Sequence, residues 1–237
     1  MGASRDDLYR RPFHGTASLR RMRIAILTFD GFNEIDSFVA SFMINRVQRP
    51  GWKAEITCPE PVVESGRGVR VYAQRPLEFA READAVLVGS GALTGRIVED
   101  RATLSRLALD PRRQLVGSQC SGARVLAKLG ILGTLPACTD AGTRPLLEAA
   151  GVRVLEQPFF ASGNVATAGG CLSSHYLATW FIWRLAGRAA AEEALAYVAP
   201  VGQEEDYVTR ALRVVGEFMA EPLPVPGDRL PDARPEA

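Results

Sequence analysis

The residues best suited to chemistry lie in the segment Leu-Val-Gly-Ser-Gln-Cys-Ser-Gly-Ala, residues 115–123, which contains Cys120. A short apolar run enters a turn of small residues, and a helical pattern follows over 121–129. A strand that turns sharply into a helix presents its apex side chain, an arrangement called a nucleophile elbow. The helix dipole would lower the pKa of a thiol there and favour the reactive thiolate. The pattern predicts a nucleophilic Cys120, with a small buried core thiol as the alternative.

Composition and charge are those of one globular domain. The 237 residues are 47% hydrophobic and 23% charged, with a formal net charge of +1, a balance typical of a folded domain with a full core. Dispersed basic residues argue against a nucleic-acid partner. No apolar run could span a bilayer, and the N-terminus lacks the apolar core of a secretory signal. We therefore expect a cytoplasmic protein with neither a nucleic-acid nor a membrane partner.

The cysteines favour the same compartment. Cys58, Cys120, Cys138 and Cys171 are far apart in sequence and include no C-x-x-C pair. A disulfide framework and a zinc site are therefore not expected, and reduced thiols fit the cytoplasm.

The two ends of the chain differ from its centre. Residues 1–21 are polar, basic and without periodicity, which indicates a flexible extension or sequence upstream of an internal start at Met22. Residues 221–237 contain five prolines, a density that excludes a packed helix. The sequence predicts one folded domain over 22–220, followed by a Pro-rich flexible tail.

Within that domain, apolar segments alternate with helical patterns. Strands are predicted at 23–29, 53–58, 85–89, 115–119 and 165–168, with a possible antiparallel piece at 69–72. Helices are predicted at 35–49, 101–109, 121–129, 144–150, 171–185, 190–197 and 205–219. The alternation predicts a doubly wound α/β fold: a mostly parallel sheet with helices on both faces, in a flavodoxin-like three-layer sandwich.

In such sheets, ligand sites lie beyond the carboxyl ends of the strands, so the turns after the strands supply candidates. Asp36 follows the first strand and could face Cys120 from the first turn of a helix. The alternative is a capping-box-like pair in which Asn33 is the N-cap and Asp36 lies three residues on. Glu34 is a second candidate carboxylate, expected to face solvent.

Two further turns consist of small residues. Ser90 and Gly91 follow the third strand, and Gly169 and Gly170 follow the last. Small residues let backbone N–H groups approach a ligand, and one from Gly91 together with that of Ser121 could form an oxyanion hole. Ordinary strand-ending turns are the alternative. The match to a phosphate-binding loop is weak, because no glycine-lysine pair follows.

The histidines limit the choice of base. His14 lies in the predicted extension, so a cysteine-histidine pair depends on His175 alone. His175 lies within an apolar helical pattern, which favours an ordinary helix residue over a base. If it does not reach the thiol, a carboxylate must transfer the protons.

The elbow, the Ile35-Asp36 pair, the Val88-Gly89-Ser90-Gly91 turn and Thr167-Ala168-Gly169-Gly170 resemble, in order and spacing, the ThiJ/PfpI superfamily of class I glutamine amidotransferase-like folds. The resemblance covers about residues 22–198 and is strongest to the isonitrile hydratase branch. It implies Cys120 as nucleophile, Asp36 as its acid/base partner, a small-molecule substrate, no metal or organic cofactor, and a homodimer.

The chain also departs from the family pattern. Ser121 stands where protease-like members carry a histidine, which argues against their chemistry. Thr139-Asp140-Ala141 replaces a usual Thr-His-Trp, and Ser174-His175-Tyr176 replaces a usual Gly-Ile-Asp. These changes alter the pocket wall and with it the substrate. Ser90, Gly169, Gly170 and His175 are the residues expected to contact it.

The resemblance leads to one hypothesis and two alternatives. The hypothesis is hydration of an isonitrile to an N-substituted formamide, with the pKa of Asp36 raised by an apolar wall of Phe32, Ile35 and Phe38. The first alternative is glyoxalase-type or deglycase-type chemistry on 2-oxoaldehydes, which needs a base such as His175. The second is a redox or ligand sensor in which Cys120 is oxidised to a sulfinate.

Overall fold

The protein is described here by a computed structural model that covers residues 21–219. The predicted tail, and the predicted extension apart from residue 21, lie outside the described residues.

Within residues 21–219 the backbone forms nine strands, numbered β1 to β9 in chain order. Their bounds are Met22–Leu27, Trp52–Cys58, Val62–Glu64, Arg70–Tyr72, Arg75–Pro76, Ala85–Val88, Leu115–Gln119, Phe159–Ser162 and Val165–Ala168. Seven form one sheet in the order β5-β2-β1-β6-β7-β9-β8. Neighbours in this sheet are parallel except for the antiparallel pair β8–β9. The prediction of a mostly parallel sheet is confirmed.

Helices cover both faces of this sheet. The α-helices within residues 21–219 are numbered α1 to α8. Their bounds are Glu34–Ile44, Thr94–Ile97, Arg101–Leu107, Gly122–Lys128, Arg144–Ala149, Ser174–Ala186, Arg188–Val198 and Glu204–Gly216. Successive side chains of β1 face opposite sides: Ile24 and Ile26 pack with α1, α6, α7 and α8, whereas Ala25 and Leu27 pack with α3, α4 and α5. This is the predicted three-layer sandwich. No helix of the described part is both long and apolar enough to cross a membrane.

Several element bounds differ from the predicted ones. Helix α1 ends at Ile44 instead of 49, because the Asn45 amide donates to the Ser41 and Ala54 carbonyls and ties the chain to β2. The predicted helix at 171–185 begins as a 3-10 turn, Cys171–Ser173, before α6. The sequence pattern does not predict β3, β5, β8 or α2, which are two to four residues long and too short to show a period. The antiparallel piece at 69–72 is present as β4, paired with β3.

The elements that matter for chemistry end at one edge of the sheet. Strands β1, β6, β7 and β9 are consecutive and parallel, so their carboxyl ends meet there. Helix α6 lies directly against β7: a Cβ atom on Gly117 would stand 2.8 Å from Leu177 Cδ1. Only glycine permits this approach, and it fixes the position of the strand that ends in Cys120.

Candidate active site

Cys120 forms the predicted sharp turn between β7 and α4. Its φ is +46°, a left-handed conformation that is uncommon for a residue with a side chain. Backbone contacts hold it on both sides, because its N–H donates to the Ala168 carbonyl at 2.8 Å and its carbonyl accepts from Thr139 Oγ1 at 2.9 Å. The surrounding fold therefore imposes the geometry that presents the sulfur.

Close backbone packing keeps the elbow in place. A Cβ on Gly122, the first residue of α4, would stand 2.5 Å from the Val88 carbonyl at the end of β6. A Cβ on Gly91 would stand 2.4 Å from the Gly31 carbonyl in the turn after β1. These distances are too short for any larger residue. The small residues around the predicted site thus bring three strand-end turns into contact.

Asp36 lies in the first turn of α1 and is fully buried. Its Oδ2 accepts a short hydrogen bond from Ser90 Oγ, whereas its Oδ1 has no hydrogen-bond partner among the described residues. The helix N-terminus is capped without it, since Asn33 Oδ1 accepts from the Ile35 N–H at 3.1 Å. Asp36 therefore does not act as the capping residue considered above, and an unpartnered buried carboxylate oxygen is left beside the elbow.

Three reactive groups meet at this point. A carboxylate oxygen of Asp36, Cys120 Sγ and Cys171 Sγ all lie within 4.8 Å of one another. Each sulfur faces an amide donor: Gln119 Nε2 is 3.5 Å from Cys120 Sγ, and Asn33 Nδ2 is 3.1 Å from Cys171 Sγ. The spacing would also fit a single metal ion, for which cysteine and aspartate are common ligands.

Burial dominates the protonation of this cluster. It raises the pKa of Asp36, while the hydrogen bond from Ser90 and the nearby thiols of Cys120 and Cys171 act in the opposite direction. It also raises the pKa of Cys120, and the neighbouring Asp36 carboxylate raises it further. The expectation that the helix dipole lowers this thiol pKa is therefore wrong, because desolvation and a like charge outweigh the dipole. Burial therefore shifts both groups toward the protonated form.

Cys120 opens onto a cavity of about 690 Å³, with 3% of its surface exposed. Ser90, Gly91, Ser121 and Cys171 border the same cavity. Its charged border residues are Glu34, Arg67 and Asp140. Asp36 is not among the described residues that border it, so the carboxylate lies behind the two thiols.

The apolar wall expected around Asp36 is only partly present. Phe32 and Phe38 pack edge to face with ring centroids 5.6 Å apart, whereas Ile35 is 43% exposed. Glu34, expected in solvent, makes a short hydrogen bond with Ser65 Oγ that lowers its pKa.

The Ser121 side chain occupies one of the two N–H groups expected to form the oxyanion hole. The Gly91 N–H donates to Ser121 Oγ at 3.2 Å, and the Ser121 and Thr94 hydroxyls are 2.9 Å apart. Thr94 Oγ1 in turn donates to the Gly91 carbonyl at 2.8 Å. The N–H of Gly91 is therefore already engaged, and Ser121 contributes its hydroxyl to this small network.

Gly169 and Gly170 support the site from behind. Neither is among the described residues that border the Cys120 cavity, in contrast to the expected substrate contacts. A Cβ on Gly169 would stand 2.3 Å from the Thr139 carbonyl, so glycine is required for close packing. The Gly170 carbonyl accepts from Gln119 Nε2 at 2.8 Å and so orients the amide that faces Cys120.

His175 borders a different cavity, of about 1060 Å³, among α1, α6, α7 and α8. Its Nδ1 makes a short contact with the Leu172 carbonyl, and its ring centroid is 3.9 Å from that of Tyr176. Burial lowers its pKa. The expectation that His175 contacts the substrate of Cys120 is not met, because its helix turns it into the helical layer.

Sequence reasoning missed Cys171 and the two amides, of Asn33 and Gln119, that face the thiols. The signal for Cys171 was present, since it directly follows the Gly169-Gly170 turn at the end of a strand. The predicted helix at 171–185 begins with Cys171, so the prediction did not include Cys171 among the residues that follow strands.

Comparison with known proteins identifies the family. The model of the DJ-1/PfpI family matches residues 22–182, which include the elbow, Asp36 and Cys171. This chain belongs to the DJ-1/PfpI family. No curated protein sequence matches it.

Solved structures share the fold. A THiJ/PfpI family protein from Pseudomonas syringae is 19% identical, with a TM-score of 0.71 over 89% of this chain and 96% of that one. Schizosaccharomyces pombe DJ-1 is 16% identical, with a TM-score of 0.66 over 76% and 100%. Oxidized Toxoplasma gondii DJ-1 is 21% identical, with a TM-score of 0.63 over 75% and 97%. At these identities the likeness extends to the fold alone.

Proposed function

We propose that the protein is a cysteine-dependent hydratase that converts a small isonitrile into an N-substituted formamide. The observation that carries this proposal is the cluster of Cys120 and Asp36, whose reacting atoms lie within 4.8 Å of one another, with Cys120 bordering a cavity and Asp36 buried behind it. A thiol beside a buried carboxylate combines a nucleophile with a proton carrier. Hydration of a small electrophilic carbon needs those two groups and a water molecule.

In the first step, Cys120 Sγ attacks the terminal carbon of the isonitrile. A carbon–sulfur bond forms, the S–H proton passes to Asp36, and Asp36 delivers a proton to the same carbon to give a thioimidate. Because burial raises the pKa of Asp36, the carboxyl group can hold the proton between the two transfers. Its Oδ1, unpartnered among the described residues, is available to receive it.

In the second step, water adds to the thioimidate carbon. Asp36 accepts one proton from the attacking water and delivers it to nitrogen. The second water proton passes through Asp36 to the sulfur as the carbon–sulfur bond breaks. The products are the formamide and the Cys120 thiol, so one isonitrile and one water give one formamide. The network of Ser121 and Thr94 lies at the mouth of the elbow, where a hydroxyl can donate to the intermediate.

The geometry supports this function over the chemistry of 2-oxoaldehydes. That reaction favours a base such as histidine beside the thiol, and His175, the one histidine of residues 21–219, borders the other cavity. A sensor role would use the same thiol without turnover.

All four cysteines are free thiols, which supports a cytoplasmic location.

The test is an assay of the purified protein with a small alkyl isonitrile, following formamide by mass spectrometry, with methylglyoxal and lactate in parallel. We expect formamide from the wild type and at least about a 10³-fold loss in Cys120→Ser, because the nucleophile is replaced by a poorer one. Cys138→Ser, which removes a buried thiol outside the cluster, is the matched control. Full activity of Cys120→Ser, or lactate without formamide, would contradict the proposal.

The homodimer implied by the resemblance is also a proposal. Apolar side chains stand exposed around the larger cavity, with Phe42 53% and Leu172 77% exposed. The Phe42 ring also lies 6.0 Å from that of Tyr197, which is exposed as well. A contiguous apolar surface of this kind favours contact with another protein, and a second copy is the occupant we propose.

A further inference from the structure

The mechanism above uses Cys120 and leaves the second thiol of the cluster without a role. Cys171 Sγ lies within 4.8 Å of Cys120 Sγ and of an Asp36 oxygen, and Cys171 borders the same cavity. A second thiol at this distance can capture an oxidised cysteine before further oxidation. We propose that Cys120 and Cys171 form a reversible intramolecular disulfide when a hydroperoxide oxidises Cys120. This inference is independent of the proposed hydratase activity.

The geometry requires only a small movement. Since bonded sulfurs are about 2.05 Å apart, the two atoms must approach by no more than about 3 Å. Cys120 is held by backbone hydrogen bonds on both sides, so Cys171 is the residue expected to move. It begins a three-residue 3-10 turn directly after Gly170, whose φ is +83°. A rotation of the Cys171 side chain, with adjustment of this short turn, brings the sulfurs together.

The chemistry balances in two steps. First, Cys120 Sγ attacks the hydroperoxide, the O–O bond breaks, and an alcohol (or water, from hydrogen peroxide) leaves, giving a Cys120 sulfenic acid. Second, Cys171 Sγ attacks the sulfenic sulfur, an S–S bond forms, and the S–O bond breaks to release water. The two thiols supply the two electrons that reduce the peroxide, and a dithiol such as dithiothreitol returns both thiols.

The local groups suit both steps. Each sulfur faces an amide N–H, from Gln119 and Asn33 respectively, which stabilises negative charge as it develops on sulfur. The Asp36 carboxyl lies within reach of both sulfurs, so it can take the Cys171 proton and deliver one to the departing hydroxide. The cluster therefore contains the acceptor and donor that disulfide formation needs.

The other two cysteines provide internal controls. Cys58 and Cys138 are both almost fully buried, and neither belongs to the cluster formed by Asp36, Cys120 and Cys171. Neither is among the described residues that border the cavity, whereas Cys120 and Cys171 both do, so a hydroperoxide in the cavity meets only that pair. Oxidation of the protein should therefore concentrate on the one pair.

The experiment treats the full chain with about three equivalents of hydrogen peroxide, enough for either the disulfide or a two-oxygen adduct, blocks free thiols with iodoacetamide and maps tryptic peptides by mass spectrometry. Trypsin separates the two cysteines, because Arg124 and Arg153 lie between them. We expect a cross-linked Cys120–Cys171 peptide pair in the wild type, reversed by dithiothreitol. We expect a two-oxygen adduct on Cys120 in Cys171→Ser and in Cys171→Ala, and an unchanged cross-link in Cys138→Ser.

Two results would overturn the inference. One is a stable two-oxygen adduct on wild-type Cys120 with no cross-linked pair. The other is the same oxidation product in wild type and Cys171→Ser. Both are read from peptide masses, so they are distinguishable from a failure of the isonitrile assay, which measures turnover.

Discussion

The two cavities of this protein differ in what their walls can do. The larger one, of about 1060 Å³, lies among four helices and is bordered mainly by aromatic and aliphatic side chains, together with His175 and the charged Asp206 and Arg210. The smaller one, of about 690 Å³, lies where strands end and is bordered by turns, two thiols and charged residues. Strained backbone and a buried, half-partnered carboxylate occur at the smaller cavity. The candidate active site therefore lies where strand ends converge, and not at the cavity that is larger or that contains the histidine.

Removing the carboxylate tests the smaller cavity most severely. Asp36→Asn should lower hydration by about 10² to 10⁴-fold, because the proton carrier is lost. The same change should shift alkylation of Cys120 by iodoacetamide to lower pH. The reason is that the Asp36 carboxylate is one cause of the raised thiol pKa, and its removal lowers that pKa. Reactivity and turnover should therefore change in opposite directions, as measured by alkylation rate against pH and by formamide yield.

Glu34→Gln is the matched control, since Glu34 lies in the same helical turn and borders the cavity without contacting Ser90. A wild-type hydration rate in Asp36→Asn would contradict the role of Asp36 as proton carrier. An alkylation profile displaced to higher pH would contradict its effect on the pKa of Cys120.

A charge at the rim of the larger cavity tests whether that surface binds a second copy. Phe42→Glu should weaken dimer formation by about tenfold to a hundredfold, because an aromatic side chain that the proposed interface would bury is replaced by a charge. Sedimentation velocity over a range of protein concentrations measures the change. Tyr72→Glu is the control, as Tyr72 is 80% exposed on the separate β3–β4 hairpin. A wild-type chain that stays monomeric throughout would rule the dimer out.

The smallest effect is expected at the histidine. His175→Ala should change kcat/KM for hydration by less than about twofold, because a base outside hydrogen-bond reach of the reaction contributes no proton transfer. Steady-state kinetics with the isonitrile give the value, and circular dichroism confirms that the variant is folded. A loss above tenfold would mean that the two cavities act together.

Local patterns predicted the fold well, because the alternation of buried strands with helices leaves few possible arrangements. The segment 115–123 indicated the elbow correctly, since small residues directly after an apolar strand permit a sharp turn into a helix. Asp36 was harder, because the first turn of a helix suits an acid for capping as well as for chemistry. Only the Asn33 contact to Ile35 and the Ser90 contact to Asp36 separate these roles.

The remaining errors have one physical origin. The pKa of Cys120 depends on how much water and charge surround it, and burial is a property of the packed chain. The same holds for Gly91, whose N–H is engaged by a hydroxyl that is distant in sequence. His175 was misassigned because a helical pattern does not show which layer its residues face. Each error concerns contacts across the fold, which one strand or helix does not encode.

The left-handed backbone at Cys120 has a consequence for how this chain can change. A residue with a side chain costs about 1 to 3 kcal/mol in such a conformation, whereas glycine adopts it freely. A sequence optimised only for folding would therefore carry glycine at position 120. Cysteine at this position opposes the conformational preference of its own backbone, and the role we propose for its sulfur would account for its presence there.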